Sequence, residues 1–374
     1  MRQFLTITRI SLLSFRSRAV PALVIVAGLT CVCVVMLPIL SMAEGLRLSY
    51  LDAGDPDRAL ALPAHASAGL TQDGVRRIMK APGIARADAE LVTYAKLTKR
   101  AGNGNGYTHL RGFGANGFAL RPELKLVSGR LYRPRAHEVL VGVLAARKFA
   151  GLAPGNWVTA AGTHWHVVGM YETGGTLDGD LIVDAPLLMR ALNRNSYDSV
   201  LVRLSSGDVF PAFQQATTRA GAARVLREPD YYRQLWQQVP STGFVVAYGL
   251  GLLIGMGALS GTMHTMHNAV ASRAKEIVLL RAIGFDARAV AASVVVEAVA
   301  LAMLGALIGA GIDWLWLDGY AYNGGIDGGV FKVAMTARLL LIALAWAAVI
   351  ALLGAQMPAR QAARGTVAEA LRDL

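Results

Sequence analysis

His164 and His166 alternate along "THWHVVGMYE", so on an extended strand they share a face, and two imidazoles so placed could begin a metal site. No third ligand accompanies them, and they read as a structural or solvated pair. His264 and His267 stand one helical turn apart at the edge of an apolar run and read as interfacial polar residues. "GNGNGY", Gly102 to Tyr107, has the glycines of a phosphate loop without its strand-to-helix setting, and reads as a hairpin turn. Arg130, Arg133 and Arg135 cluster in "SGRLYRPRAHE". An anion site would use them, but a solvated loop is the plainer reading. Cys31 and Cys33 lie inside an apolar run and read as inert core. The sequence contains no GxxxxGK[ST] loop, no HExxH, no paired CxxC and no GxSxG elbow. No catalytic residue, no metal site and no cofactor bound by the chain itself is therefore expected.

Two features remain. Glu297 lies about six residues, on the order of 9 Å, into an apolar segment. A carboxylate there is costly and faces protein or water rather than lipid. It serves either helix packing or a conformational change. The other feature is "SRAKEIVLLRAIGF", Ser272 to Phe285, too charged for lipid and too apolar for a solvated loop. As a helix it points Ile277, Val278, Leu279, Leu280 and Ile283 in nearly every direction, with Arg273 and Arg281 about 80° apart on one side. Gly284 then gives the chain a place to turn. Such a segment needs a surface to bury it, either the membrane and its own helices or a groove on a partner protein.

The elements that hold these residues follow from composition. Of 374 residues 54% are hydrophobic, and the mean hydropathy is +0.42. Four apolar segments are long enough, at 1.5 Å per residue, to cross about 30 Å of hydrocarbon. They fall at residues 19–43, 241–265, 291–313 and 337–357. The first could be a signal peptide, with Ser41 and Ala43 as a small-x-small site, but its apolar run is long for one and an uncleaved span is expected. Gly251, Gly255, Gly257 and Gly261 in the second span, and Gly305 and Gly309 in the third, offer close helix contacts within the chain or across a dimer. Basic flanks orient the spans. Arg2, Arg9, Arg16 and Arg18 precede the first, Arg273, Lys275, Arg281 and Arg288 follow the second, and Arg360, Arg364 and Arg372 follow the fourth. By the positive-inside rule both termini are cytoplasmic. The net charge of +12 carries no nucleic-acid signature with it.

The fold expected is a multi-pass α-helical membrane protein, with four transmembrane helices and a large extracytoplasmic α+β domain inserted between helices 1 and 2. Residues 1–18 form a cytoplasmic amphipathic segment and residues 44–240 the outer domain, with a β-rich insert at about 126–200. Residues 266–290 form a cytoplasmic loop, 314–336 an outer loop and 358–374 a cytoplasmic tail. Within the outer domain "DRALALPAHA" predicts a strand, and "TQDGVRRIMKAPG" a helix with Thr71 as N-cap.

Residues Ser272 to Gly309 resemble the FtsX/MacB-type ABC transporter permease segment, an R-x-K-E-I-x-x-L-R-A-I-G stretch followed by a span that opens with a glutamate. "PARQAARGTVAEALR", Pro358 to Arg372, resembles that family's C-terminal stretch, and "LVSGRLYRPRAHEVLVGVLAARKFAGLAPGNWVTAAGTHWHVVGMYE" its outer β-rich insert. The resemblance implies a MacB-like periplasmic core domain and a coupling helix in the second loop, with Arg273, Lys275, Glu276, Arg281 and Gly284 touching a separate cytoplasmic ABC ATPase. ATP and Mg would then sit on that partner. It further implies a second permease, as homodimer or heterodimer, in a bacterial cytoplasmic (inner) membrane. A periplasmic adaptor or membrane-fusion protein stays open. The expected role is mechanotransmission, with export or extraction of a lipid, lipoprotein, peptide or drug. The alternative is an FtsX-like regulator that passes ATPase-driven motion to an outer partner such as a cell-wall hydrolase.

Overall fold

The computed structural model describes residues 19–51, 53–63, 69–101, 104–219, 224–238, 242–272, 286–323 and 330–364. Its helices are α1 (Ala19–Leu51), α2 (Gln72–Met79), α3 (Val143–Lys148), α4 (Ala185–Ala191), α5 (Phe210–Arg219), α6 (Glu228–Gln237), α7 (Thr242–Ser272), α8 (Ala287–Leu317) and α9 (Ala337–Arg364). The chain divides into two compact units. One comprises Met1–Glu44, Ser241–Asp318 and Ala334–Leu374, and the other Gly45–Pro240 and Gly319–Val333.

The first unit is helical. α1, α7, α8 and α9 are apolar around nearly their whole circumference, as helices are that have no water-facing side. Among the described residues three segments are long and apolar enough to cross a membrane: Ala22–Leu51, Ala291–Leu317 and Ala337–Met357. The sequence leads one to expect four. α7 covers the remaining candidate as a helix of 31 residues, and its crossing is taken up as a proposal below. Pro38 lies inside α1 and lacks an N–H. Ser41 Oγ donates to the Pro38 carbonyl at 2.9 Å, which adds a local polar contact at that turn.

The second unit is α+β. Its strands are β1 (Arg58–Leu62), β2 (Leu70–Thr71), β3 (Ile84–Thr98), β4 (Asn105–Phe113), β5 (Lys125–Gly129), β6 (Glu138–Gly142), β7 (Trp157–Ala160), β8 (Thr163–Glu172), β9 (Leu181–Asp184), β10 (Ser196–Tyr197), β11 (Ser199–Leu204), β12 (Arg224–Arg227), β13 (Ala321–Asn323) and β14 (Val330–Lys332). One sheet runs in the order β12-β1-β11-β3-β4-β9-β6-β8-β5, with β7 paired to β8. Thr71 caps α2, its hydroxyl accepting from the Gly74 N–H at 3.1 Å. The glycine-rich run after β3 is flanked by antiparallel pairing from Leu91↔Gly112 to Thr98↔Asn105, as a hairpin requires.

β3 joins two cores. Its first half pairs with β11, up to Glu90↔Ser199, beside a core of Ala59, Val75, Ile78, Val202 and Phe213. Its second half pairs with β4 beside a core that holds Leu91, Leu110, Phe149, Trp165 and Val183. A single strand of 15 residues thus serves both cores, with Leu91 in the second. In β6, Val139 and Val141 enter that second core while Leu140 enters another on the opposite face, with Phe113, Tyr171 and Ile182. Covered on both sides, "EVLVG" carries no polar alternation. Ala321 and Val330, of the strands between α8 and α9, also belong to the second core. Residues 319–333 are therefore part of this unit.

Candidate functional site

In the helical unit the small residues decide which helices meet. A Cβ on Gly305 would stand 2.7 Å from the Val26 carbonyl oxygen, and one on Gly309 2.6 Å from Cys33 Cβ, so only glycine lets α8 approach α1 this closely. Thr30 Oγ1 donates to the Gly305 carbonyl at 3.0 Å across the same contact. A Cβ on Gly251 would meet Met36 Sδ at 3.2 Å, and one on Gly255 the Trp346 ring at 3.6 Å. Among the described residues nothing lies within 4 Å of such an atom at Gly257 or Gly261.

Alanine lines much of the buried helix surface. Ala298, Ala302, Ala306 and Ala310 of α8 are buried at a spacing of four, as are Ala343, Ala347, Ala351, Ala355 and Ala359 of α9. These ladders do what a GxxxG pair does, and the signal for them was a four-residue alanine period. Glu297 is half-buried on α8, and His264 and His267 are exposed on α7. Arg273, Lys275, Glu276, Arg281 and Gly284 lie outside the described residues.

In the α+β unit, charges are buried in pairs drawn together from distant segments. Arg58 donates to Glu228 at 2.5 Å, to Glu123 at 2.7 Å and to the Leu120 carbonyl at 2.8 Å. Arg111 donates to Asp180 at 2.5 Å, and His109 lies 3.2 Å from the same carboxylate. Burial pushes the Asp180 carboxyl up, but Arg111 and His109 outweigh it and hold it below the ordinary range. Asp88 and Glu90 share one face of β3. Burial, with the charge of Glu90, raises Asp88 to about 7, against the pull of N–H donors from Asn116 at 3.2 Å and Gly114 at 2.7 Å.

The surface candidates have partners too. Arg130 binds both oxygens of Glu138, at 2.5 and 2.7 Å, and with the Arg133 N–H at 2.8 Å it lowers that carboxyl to about 2. Arg130 thus holds a carboxylate of its own chain. His164 shares a hydrogen bond of 2.9 Å with Thr159, and the His166 ring lies 5.0 Å from that of Trp157, tilted against it. Sequence reasoning passed over Asp88, Glu90, Arg58, Arg111 and Arg121, which look like ordinary strand and loop charges until the sheet assembles them.

Long apolar helices packed through alanine and glycine, with a large α+β unit after the first of them, define a helical membrane protein that carries a substantial non-membrane domain. The family described as MacB-like periplasmic core domain matches residues 22–220, and that described as FtsX-like permease C-terminal matches residues 245–367. The chain belongs to the FtsX/MacB-type family of ABC transporter permeases. It is 30% identical over 145 residues to the macrolide export ATP-binding/permease protein MacB of Campylobacter fetus, a match covering 39% of this chain and 22% of that relative's length. Two solved structures are similar over part of the chain. The periplasmic region of MacB from Actinobacillus actinomycetemcomitans is 16% identical, with a TM-score of 0.38, covering 49% of this chain and 93% of that one. The extracellular domain of the ABC-type transporter YknZ from Gram-positive bacteria is 19% identical, with a TM-score of 0.36, covering 44% and 91%.

Proposed function

We propose that this chain is the transmembrane subunit of an ATP-driven complex of the bacterial inner membrane, working by mechanotransmission. An ABC ATPase in the cytoplasm moves the helices, and the helices move the outer unit, which handles a lipid, lipoprotein, peptide or drug. The observation that carries this reading is the unbroken course of α1. Its residues to Glu44 belong to the helical unit and those from Gly45 to Leu51 belong to the other, with no loop between them. A displacement of that helix therefore reaches the outer unit through hydrogen-bonded backbone. A second connection supports the same reading, since the residues between α8 and α9 contribute Ala321 and Val330 to the outer core. No GxxxxGK[ST] loop occurs in the 374 residues, which supports an ATPase supplied from outside them. The Campylobacter relative's name joins ATP-binding to permease, which agrees with such a partner.

The grip for the ATPase is assigned to residues 273–284, with Arg273, Lys275 and Arg281 meeting acidic groups and Glu276 a basic one. Arg281→Glu is expected to leave the protein in the membrane and to lower ATPase co-purification in mild detergent by about tenfold or more. Undiminished co-purification would remove this segment as the docking site.

A further inference from the structure

The α+β unit gathers cations where β3 ends. Between Glu90 and Glu123 the chain has no Asp or Glu, and it has none between Glu138 and Glu172. The fold sets basic residues of these two runs side by side. The Arg100 N–H donates to the Lys148 carbonyl at 2.8 Å, and Arg100 Nη2 donates to the Ala146 carbonyl at 3.0 Å. Lys99 forms a β-bridge with Phe149. Lys99 and Arg100 thus lie against the end of α3, which carries Arg147 and Lys148. β13 and β14 pack on the same helix, and β14 adds Lys332.

Other cations of this unit have carboxylates, as Arg58, Arg111, Arg121 and Arg130 do. Among the described residues no carboxylate pairs with Lys99, Arg100, Arg147, Lys148 or Lys332. Arg147 and Lys332 are exposed. Lys148 Nζ donates to the Tyr320 hydroxyl at 3.4 Å and lies 5.0 Å from the centre of that ring. Asp318, next in the chain to the β13–β14 segment, accepts from the Met335 N–H at 3.1 Å, and Asp327 lies outside the described residues.

Tyr320 locates the patch. α8 ends at Leu317, the last residue of a segment long and apolar enough to cross a membrane. Three residues of chain reach at most about 11 Å. The polar headgroup layer is about 5–7 Å deep, and in physiological salt its charge is felt about 8 Å further. The contact between Lys148 and Tyr320 therefore brings the near edge of the patch within range of that layer. Phosphodiester groups are the anions that a bilayer offers there at high density.

We propose that Lys99, Arg100, Arg147, Lys148 and Lys332 form a docking surface for the anionic phospholipid headgroups of the adjacent leaflet. The proposal rests on α8 crossing the membrane and not on ATPase coupling, so either can fail alone.

The test uses the full chain carrying Ala150→Cys in lipid nanodiscs. Ala150 is exposed, and its N–H donates to the Thr98 carbonyl at 2.9 Å, beside the patch. The readout is the rate of labelling by a neutral, membrane-impermeant polyethylene glycol maleimide. The unsubstituted chain, whose two cysteines lie on α1, gives the blank. Labelling is expected to be about fivefold slower or more with about 30% phosphatidylglycerol than in phosphatidylcholine alone. The difference is expected to vanish at about 1 M salt, where the screening length is about 3 Å. It is also expected to vanish in Lys99→Gln/Arg147→Gln/Lys332→Gln. If that variant loses its thermal transition, Arg147→Gln/Lys332→Gln, at two exposed positions, takes its place. Equal rates in the two lipids overturn the proposal. Equal slowing in the neutralised variant overturns it too, since the thiol would then be shielded without these cations. Inorganic phosphate that slows labelling equally in phosphatidylcholine discs would assign the patch to a soluble anion and not to a lipid surface.

Discussion

Asp88 shows how a single side chain ties this fold to its surroundings. The carboxyl receives backbone N–H groups from Gly114 and Asn116, and thereby pins the turn after β4 against β3. Burial raises it to about 7 from an ordinary value of 3.8. Between those limits the folded chain holds a proton that the unfolded chain has released, so stability falls as pH rises from about 4 through about 7. The loss is at most about 4 kcal/mol at this one site. Asp88→Asn keeps an acceptor for Gly114 and removes the titration. Chemical unfolding at pH 5 and pH 8 is expected to show a smaller drop for the variant than for the wild type. Identical drops would mean that Asp88 is ionised throughout. None of this was legible beforehand. Arg121 and Glu90 are 31 positions apart and meet only because β3 and the turn after β4 fold together, and sequence pattern carries no trace of which charges will pair.

At the scale of elements, the long helices were legible because an apolar run of membrane length has few places to go but lipid, and the cap at Thr71 because capping is local chemistry. Packing faces were harder to see. Glycines draw the eye, yet among the described residues nothing lies within 4 Å of a Cβ at Gly257 or Gly261, while the alanine ladders of α8 and α9 are buried. In an alanine-rich sequence, a four-residue alanine period hides in the background composition. The sharing of β3 between two cores leaves no mark in composition either, since one continuous strand gives no break at Leu91. The glycine geometry makes a graded expectation. Gly309→Ala would drive a methyl group into Cys33 and the Thr30 carbonyl, and Gly305→Ala one into Val26. Each is expected to destabilise the helical unit by about 1–3 kcal/mol, read as a lower melting temperature in detergent. Gly257→Ala meets open space and is expected to leave melting unchanged or slightly raised. Equal melting temperatures for Gly309→Ala and Gly257→Ala would show that α1 and α8 do not pack through this contact.

For the molecule as a whole, we propose four crossings, on an argument from which residues share a core. Residues 45–240 and 319–333 form one unit, and Val330 packs in the same core as Leu91 and Trp165. A core cannot be split by a bilayer, so both stretches lie on one side of it. α8 ends on that side, and Trp314 and Trp316 near its end, the latter 83% exposed, suit the aromatic belt of a membrane interface. If α8 crosses once, its start at Ala287 lies on the opposite side from residue 240, and the chain between them must cross as well. α7 is the long apolar helix in that interval, which supports a fourth span and an even count with both termini on one side. By the positive-inside rule the basic flanks make the cytoplasm the expected location of that side. A reporter active only outside the cytoplasm is therefore expected to be active when fused at Gly104, in the exposed β3–β4 turn, and silent at Asp286, between α7 and α8. Activity at both positions would mean that α7 does not cross. The unit that joins residues 45–240 to residues 319–333 would then have to come apart.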